Sequence, residues 1–212
     1  MVFADRRDAG RRLAAALEHL RERHPVIIAV PRGGVVVGRE VAVQLQAPVD
    51  VIVPRKLRAP FNAELAIGAV AEGGAAFIEE ETARGVSGAY VEQEIAAQRA
   101  EIARRVDVYR GGRSLVDVTG RMAIVVDDGI ATGATMVAAL RAIRACRPAY
   151  LVAAVPVAPP EGLVRLAKEA DEVVCLITPA HFQAVGQFYG NFTQVTDAEV
   201  VALLAPQPGP GR

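Results

Sequence analysis

The most chemically loaded stretch of this 212-residue chain is Val125-Val126-Asp127-Asp128-Gly129-Ile130-Ala131-Thr132-Gly133-Ala134-Thr135. Two adjacent carboxylates leave a short apolar run, and a turn of small and hydroxylated residues follows. Small residues let backbone N–H groups approach an anion closely. Thr132 and Thr135 add hydroxyl donors, and a helix opening at the turn adds the positive end of its dipole. A phosphate monoester suits such a turn. Asp127 and Asp128 would repel that phosphate, so they are expected to face sugar hydroxyls or a hydrated cation. A turn built only for tight packing with an Asp cap explains Asp-Gly, but explains the full string less well. Two other phosphate motifs are absent: no GxxxxGK[ST] occurs, since Ala134 follows Gly133 where a lysine would stand, and no GxGxxG follows any apolar run.

The elements that must position these residues read as alternating strands and helices. Val26 to Val30, Val49 to Val53, Ala123 to Val126, Tyr150 to Val155 and Glu172 to Ile177 are short apolar runs of the kind found in parallel strands buried on both faces. Helices are expected over residues 8–23, 35–46, 87–109, 135–144 and 161–169, and Glu72-Gly73-Gly74 suggests a hairpin between 66–70 and 75–78. The alternation predicts an α/β fold, a mainly parallel sheet flanked by helices. Ligands of such sheets bind beyond the carboxyl ends of the strands. Three of those ends carry unusual chemistry here: Pro31-Arg32-Gly33-Gly34, the basic Arg55-Lys56, and the Asp127-to-Thr135 string.

The eleven-residue string resembles the phosphoribosyl pyrophosphate signature of type I phosphoribosyltransferases, and Phe3-Ala4-Asp5-Arg6, Val30-Pro31-Arg32-Gly33-Gly34 and the order of elements extend the resemblance. The chain looks like a stand-alone branch of that family. The resemblance implies a core over residues 1–178, with a flexible loop and hairpin at about 57–80, and a small C-terminal hood and tail over 179–212. It implies that Asp127 and Asp128 hold the ribose 2- and 3-hydroxyls, and a metal directly or through ribose oxygens and water. Ala131, Thr132, Gly133, Ala134 and Thr135 would wrap the 5-phosphate. Arg32, Gly33 and Gly34 would form the pyrophosphate loop, often built on a non-proline cis peptide in the family, and Arg55 and Lys56 would face the leaving group. A mobile loop is expected within Leu57 to Glu64. Mg²⁺ is the implied cofactor. The implied partners are phosphoribosyl pyrophosphate and a small nitrogenous acceptor, expected to be a nucleobase, in nucleotide metabolism. Hypoxanthine/guanine members carry Asp at the position of Ala131, so the resemblance runs closer to the adenine, xanthine or pyrimidine branches and leaves the base open. A non-catalytic phosphoribosyl pyrophosphate-sensing regulator, which would keep the same binding motif, stands as the alternative; Arg32, Arg55 and Lys56 favour the enzyme.

Phe182, Phe188, Tyr189 and Phe192 hold four of the ten aromatic residues. They read first as a cluster docking the tail on the core, with acceptor stacking by Phe188, Tyr189 and Phe192 as the second reading. The interleaved charges of 87–109 suggest a solvated or subunit-contacting face, which leaves a homo-oligomer open, and Pro206 to Gly211 should fray. The composition narrows the class. With 24 basic and 24 acidic residues the formal net charge is +0, which argues against a nucleic-acid partner. No apolar run approaches the roughly 20 residues of a membrane span. Cys146 and Cys175 form no metal or redox pattern. Asp5, Arg6, Arg7 and Asp8 leave no room for an apolar signal core, so a cytoplasmic setting is expected.

Overall fold

The computed structural model describes residues 3–74 and 76–205. Five parallel strands form its central sheet: β1 (Val26–Ala29), β2 (Val49–Val51), β6 (Met122–Val126), β7 (Tyr150–Val157) and β8 (Glu172–Ile177), in the order β2-β1-β6-β7-β8. Side chains alternate across it. Ile27, Ile124 and Val152 enter a cluster with Leu13, Leu17, Val37 and Val41, from α1 (Arg6–Ala16) and α2 (Gly33–Leu45). Ile28, Val125 and Ala153 enter the opposite cluster with Met136, Leu140 and Ile143 of α4 (Ala134–Ala145). Because both faces are covered, each strand is apolar at nearly every position, which is why continuous runs marked them in the sequence.

Three expectations about local structure change. The first helix stops at Ala16 and gives way to a 3₁₀ turn, Glu18–Arg23, whose end has His24 in the left-handed region ahead of Pro25. Its start is set by Asp5, whose carboxylate accepts the Asp8 N–H at 2.8 Å. Second, the basic segment after β2 is a strand. β3 (Pro54–Ala59) pairs antiparallel with β4 (Asn62–Ala71), and β4 pairs with β5 (Ala76–Ile78). Leu57 and Ala59 point inward while Lys56 and Arg58 point out, so half the strand is charged and hides its period. Third, the segment Leu57 to Glu64, expected to be a loop, is therefore the turn-proximal part of this hairpin. The tail expected at Pro206 to Gly211 lies outside the described residues, as does Ala75.

Helix α3 (Gly88–Arg110) lies along β3, and α6 (Asp197–Leu204) seals a third cluster in which Ile102 and Tyr109 meet Leu57, Ile67, Val200 and Leu204. α5 (Pro160–Leu166) connects β7 to β8. At the end of α3 the buried Arg110 pairs with Glu72 and stands 3.9 Å from Asp50, whose carboxylate also accepts the N–H groups of Val51 and Val116. This ion cluster ties β2 to the antiparallel sheet.

Candidate active site

The site lies at the carboxyl ends of β1 and β6. As β6 ends, Asp127 and Asp128 leave it side by side, and the Asp128 N–H donates to Asp127 Oδ1 at 2.8 Å. The turn then places Ala131 and Thr132 at the surface and brings Gly133 to φ +82°, a left-handed conformation that suits glycine. α4 begins at once, and no side chain caps its N-terminus. Its first N–H groups are thus free to meet an anion.

From β1 the chain passes through a cis Pro31–Arg32 peptide, the non-proline bond expected of this loop, into α2. Gly33 and Gly34 press against the acidic pair. A Cβ on Gly33 would stand 1.9 Å from Asp128 Oδ2, and one on Gly34 would stand 2.9 Å from Asp127 Cα. Glycine is required here by close approach. The Arg32 guanidinium turns elsewhere, to 3.8 Å from Asp197 of α6. At this loop it is the Gly33-Gly34 backbone, and not the Arg32 charge, that reaches the acidic pair.

Two cavities adjoin through shared walls of Lys56 and Thr135. One, about 210 Å³, is lined by Asp127, Gly129 to Gly133 and Met136, with Val185 closing it from the C-terminal segment. The other, about 310 Å³, is basic: Arg55, Lys56 and Arg58 of β3 meet Arg105 of α3 across it, with Pro31 on its wall. Arg55 donates to Gln98 at 3.0 Å, and burial together with the Arg105 charge lowers its pKa. A basic cavity and one that holds a buried carboxylate therefore lie side by side, with Lys56 and Thr135 lining both.

Charge within the acidic pair is uneven. Burial, reinforced by the neighbouring carboxylate, raises the Asp127 pKa well above the usual range. Burial also raises that of Asp128, but Arg6 opposes it, donating from Nε to Asp128 Oδ2 at 2.7 Å. Arg6 is the residue that sequence reasoning missed as a site residue. It was visible only as part of Phe3-Ala4-Asp5-Arg6, because its partner is 122 residues away. Arg105 was missed for a different reason, since it sits in a helix that reads as solvated. It is half-buried and bound to Glu101 at 2.7 Å.

The aromatic segment packs. Phe188 and Tyr189 are buried with Phe3, Ala9 and Val157, the Phe3 and Tyr189 rings lie 5.3 Å apart, and Phe182 stacks on Phe188. The Tyr189 hydroxyl donates to the Asp128 carbonyl, while Phe192 carries the Arg6 guanidinium on its face at 3.8 Å. Docking of the tail explains Phe188 and Tyr189, and their burial leaves little ring face for acceptor stacking. Cys146 and Cys175 are free and half-buried, with thiol pKa values pushed up by burial.

Among the described residues no group of three or more His, Cys, Asp or Glu side chains could hold a metal ion. Two carboxylates beside an anion site match a Mg²⁺ taken up mainly through ligand oxygens and water, as this ion commonly is. Asp127 and Asp128 are the residues that would hold it. No helix among the described residues is long and apolar enough to cross a membrane.

Comparison with known proteins agrees with this geometry. The family profile described as "Phosphoribosyl transferase domain" matches residues 6–192. The chain belongs to the phosphoribosyl transferase domain family. Proteins from two strains of Mycobacterium tuberculosis, provisionally named phosphoribosyl transferases, are each 49% identical to it over 205 residues. That span covers 96% of this chain but 46% of theirs, so the chain spans about half the length of these curated relatives. The crystal structure of the protein TT1426 from Thermus thermophilus is 46% identical, superposes with a TM-score of 0.83, and covers 96% of this chain and 98% of its own. This phosphoribosyl transferase domain therefore has its string of acids and small residues where the fold presents ligands.

Proposed function

We propose that this domain transfers the 5-phosphoribosyl group from phosphoribosyl pyrophosphate to a nitrogenous acceptor, a nucleobase, and releases pyrophosphate. The observation that carries the reading is the adjacency of the two cavities, which share Lys56 and Thr135. The uncapped N-terminus of α4, with Thr135 and the preceding Thr132, suits the 5-phosphate, and Asp127, with Asp128 beside it, suits the sugar hydroxyls. The basic cavity of Arg55, Lys56, Arg58 and Arg105 suits the leaving group. Loss of pyrophosphate from an anomeric carbon develops oxocarbenium character, as in glycoside cleavage. Cationic side chains held beside the departing phosphates stabilise the charge that builds there. Bound Mg²⁺ supplies further neutralisation of the pyrophosphate oxygens. Gly33 and Gly34 turn backbone rather than side chains toward the acids, which leaves room for the sugar. The acceptor supplies its own nitrogen nucleophile, so no protein nucleophile is needed.

The test is titration calorimetry with phosphoribosyl pyrophosphate and Mg²⁺, followed by pyrophosphate release with a panel of bases. Binding with turnover on one base is expected. Asp128→Asn should weaken binding by about tenfold or more, because a charged acceptor is lost from the hydroxyl site, and should lower Tm as well, because the buried Arg6 guanidinium loses its charged partner. Binding without turnover on any base would move the reading to a phosphoribosyl pyrophosphate sensor, and no binding at all would refute it.

A further inference from the structure

We propose that Arg6 is a positioning residue that fixes the Asp128 carboxylate and so sets the site's preference for a fully hydroxylated ribose over deoxy sugars. The inference rests on the sugar-phosphate reading above and adds a determinant that lies outside the signature string.

Three contacts, made to distant parts of the chain, hold the guanidinium. Nε donates to Asp128 Oδ2 at 2.7 Å, one terminal nitrogen donates to the Thr193 carbonyl at 2.8 Å, and the plane rests 3.8 Å above the Phe192 ring. Its backbone is held as well, because Arg6 is the first residue of α1 and follows the Asp5 cap. On the α2 side the fit is close: a Cβ added to Gly33 would stand 2.7 Å from Arg6 Nε. The side chains of Arg6 and Asp128 are only 10% and 15% exposed. A charge-assisted bond in such surroundings is short and directional.

The consequence falls on Asp128. With Oδ2 committed to Arg6, the backbone carbonyl held by the Tyr189 hydroxyl and the Asp127 side chain alongside, the Asp128 carboxylate is held in one orientation next to the cavity that Asp127 lines. Asp127 is instead anchored by the Asp128 N–H. The two acids thus present acceptors from two fixed planes, as recognition of a vicinal diol needs. Without Arg6, Asp128 would keep its charge-bearing group but lose its orientation. A site built to bond a hydroxyl discriminates against the sugar lacking it only while its acceptor is held in place.

The experiment measures dissociation constants by calorimetry for ribose 5-phosphate, 2-deoxyribose 5-phosphate and 3-deoxyribose 5-phosphate, using the whole chain, Arg6→Met and Arg6→Lys. The parent should prefer ribose 5-phosphate to at least one deoxy sugar by about tenfold or more. Arg6→Met should reduce that ratio to about twofold by losing affinity for the sugars that keep the hydroxyl Asp128 meets, with the sugar lacking it little changed, and Arg6→Lys should restore part of the ratio. A ratio unchanged in Arg6→Met, with all three sugars weakened equally, would show a merely structural role and overturn the proposal. Should Arg6→Met fail to fold, Phe192→Leu removes the face under the guanidinium at a part-exposed position. It should lower the ratio about threefold, and an unchanged ratio there would also overturn the proposal. If the parent binds none of the three sugars, the sugar-phosphate reading itself fails, an outcome distinct from an unchanged ratio.

Discussion

Gly33→Ala is the smallest change that tests how tightly the Arg32-Gly33-Gly34 loop and the acidic pair are fitted. The added Cβ would lie 1.9 Å from Asp128 Oδ2, 2.6 Å from its Cγ and 2.7 Å from Arg6 Nε. Reaching 3.0 Å, below which such carbons are essentially never found, requires the carboxylate to move by about 1.1 Å. A shift of that size along the 2.7 Å Arg6–Asp128 bond takes it to about 3.8 Å, outside hydrogen-bonding range. Overpacking costs about 1–3 kcal/mol and a lost bond to a charged group about 1.5–3 kcal/mol, so destabilisation of roughly 3 kcal/mol is expected. For a domain of this length that lowers Tm by about 6–12 °C. Displacing Asp128 should also weaken phosphoribosyl pyrophosphate by about 10- to 100-fold. Differential scanning calorimetry and titration calorimetry read the two effects. Gly88→Ala is the control, because nothing lies within 4 Å of its added Cβ at the start of α3; it should leave binding unchanged and Tm equal to or slightly above the parent's. If Gly33→Ala melted and bound as the parent does, the fitted contact between α2 and Asp128 would be wrong.

Lys56→Ala should weaken pyrophosphate about tenfold at low salt and less at high salt, with Tm unchanged, since Lys56 is exposed on the wall shared by the two cavities. Arg110→Met should cost about 3–5 kcal/mol in urea unfolding, because it leaves buried Asp50 and half-buried Glu72 without their cation. Tyr109 donates to Asp197 at 2.7 Å, and burial, helped by that bond, pushes its pKa from 10.0 up to about 12. The folded state therefore keeps the phenol proton longer than the unfolded one. The stabilisation is complete below pH 10 and is lost as pH rises toward 12, by up to roughly 2 kcal/mol. Tyr109→Phe should remove this alkaline slope in stability measured against pH.

The sheet was legible because burial on both faces removes polar residues from its central strands. Val26 to Ala29 and Met122 to Val126 carry none. The turn after β6 was legible because its parts are contiguous: the acids, the small residues and the helix start all lie between Asp127 and Thr135. What escaped notice depends on distance or on mixed environments. β3 was hidden because Arg55, Lys56 and Arg58 surround Leu57, so its inward residues are too few to declare a period. Arg6 looked like one charge among several at a helix start, and only folding joins it to Asp128. Arg105 was hidden because a helix with Glu101, Arg104 and Arg105 in sequence satisfies every sign of a solvated face, yet its inner edge borders the basic cavity.

The two charged clusters differ in a way that argues for the site. Around Arg110 the protein supplies both signs: two carboxylates surround one buried cation, and the cluster is complete without a ligand. In the basic cavity, Arg55 is half-buried with neutral Gln98 as its hydrogen-bond partner, and Arg58 and Arg105 both oppose its charge. Across the shared wall, Asp127 is buried against a second carboxylate. Glu101 beside the arginines and Arg6 beside the acids offset these clusters only in part, since the Arg55 pKa stays lowered and the Asp127 pKa stays raised. A ligand with an anionic group at one end and hydroxyl donors at the other would relieve both. The formal net charge of +0 thus conceals a local separation of sign, with Arg55, Lys56, Arg58 and Arg105 on one cavity and Asp127 on its neighbour, an arrangement that suits the proposed phosphorylated sugar better than a simple anion.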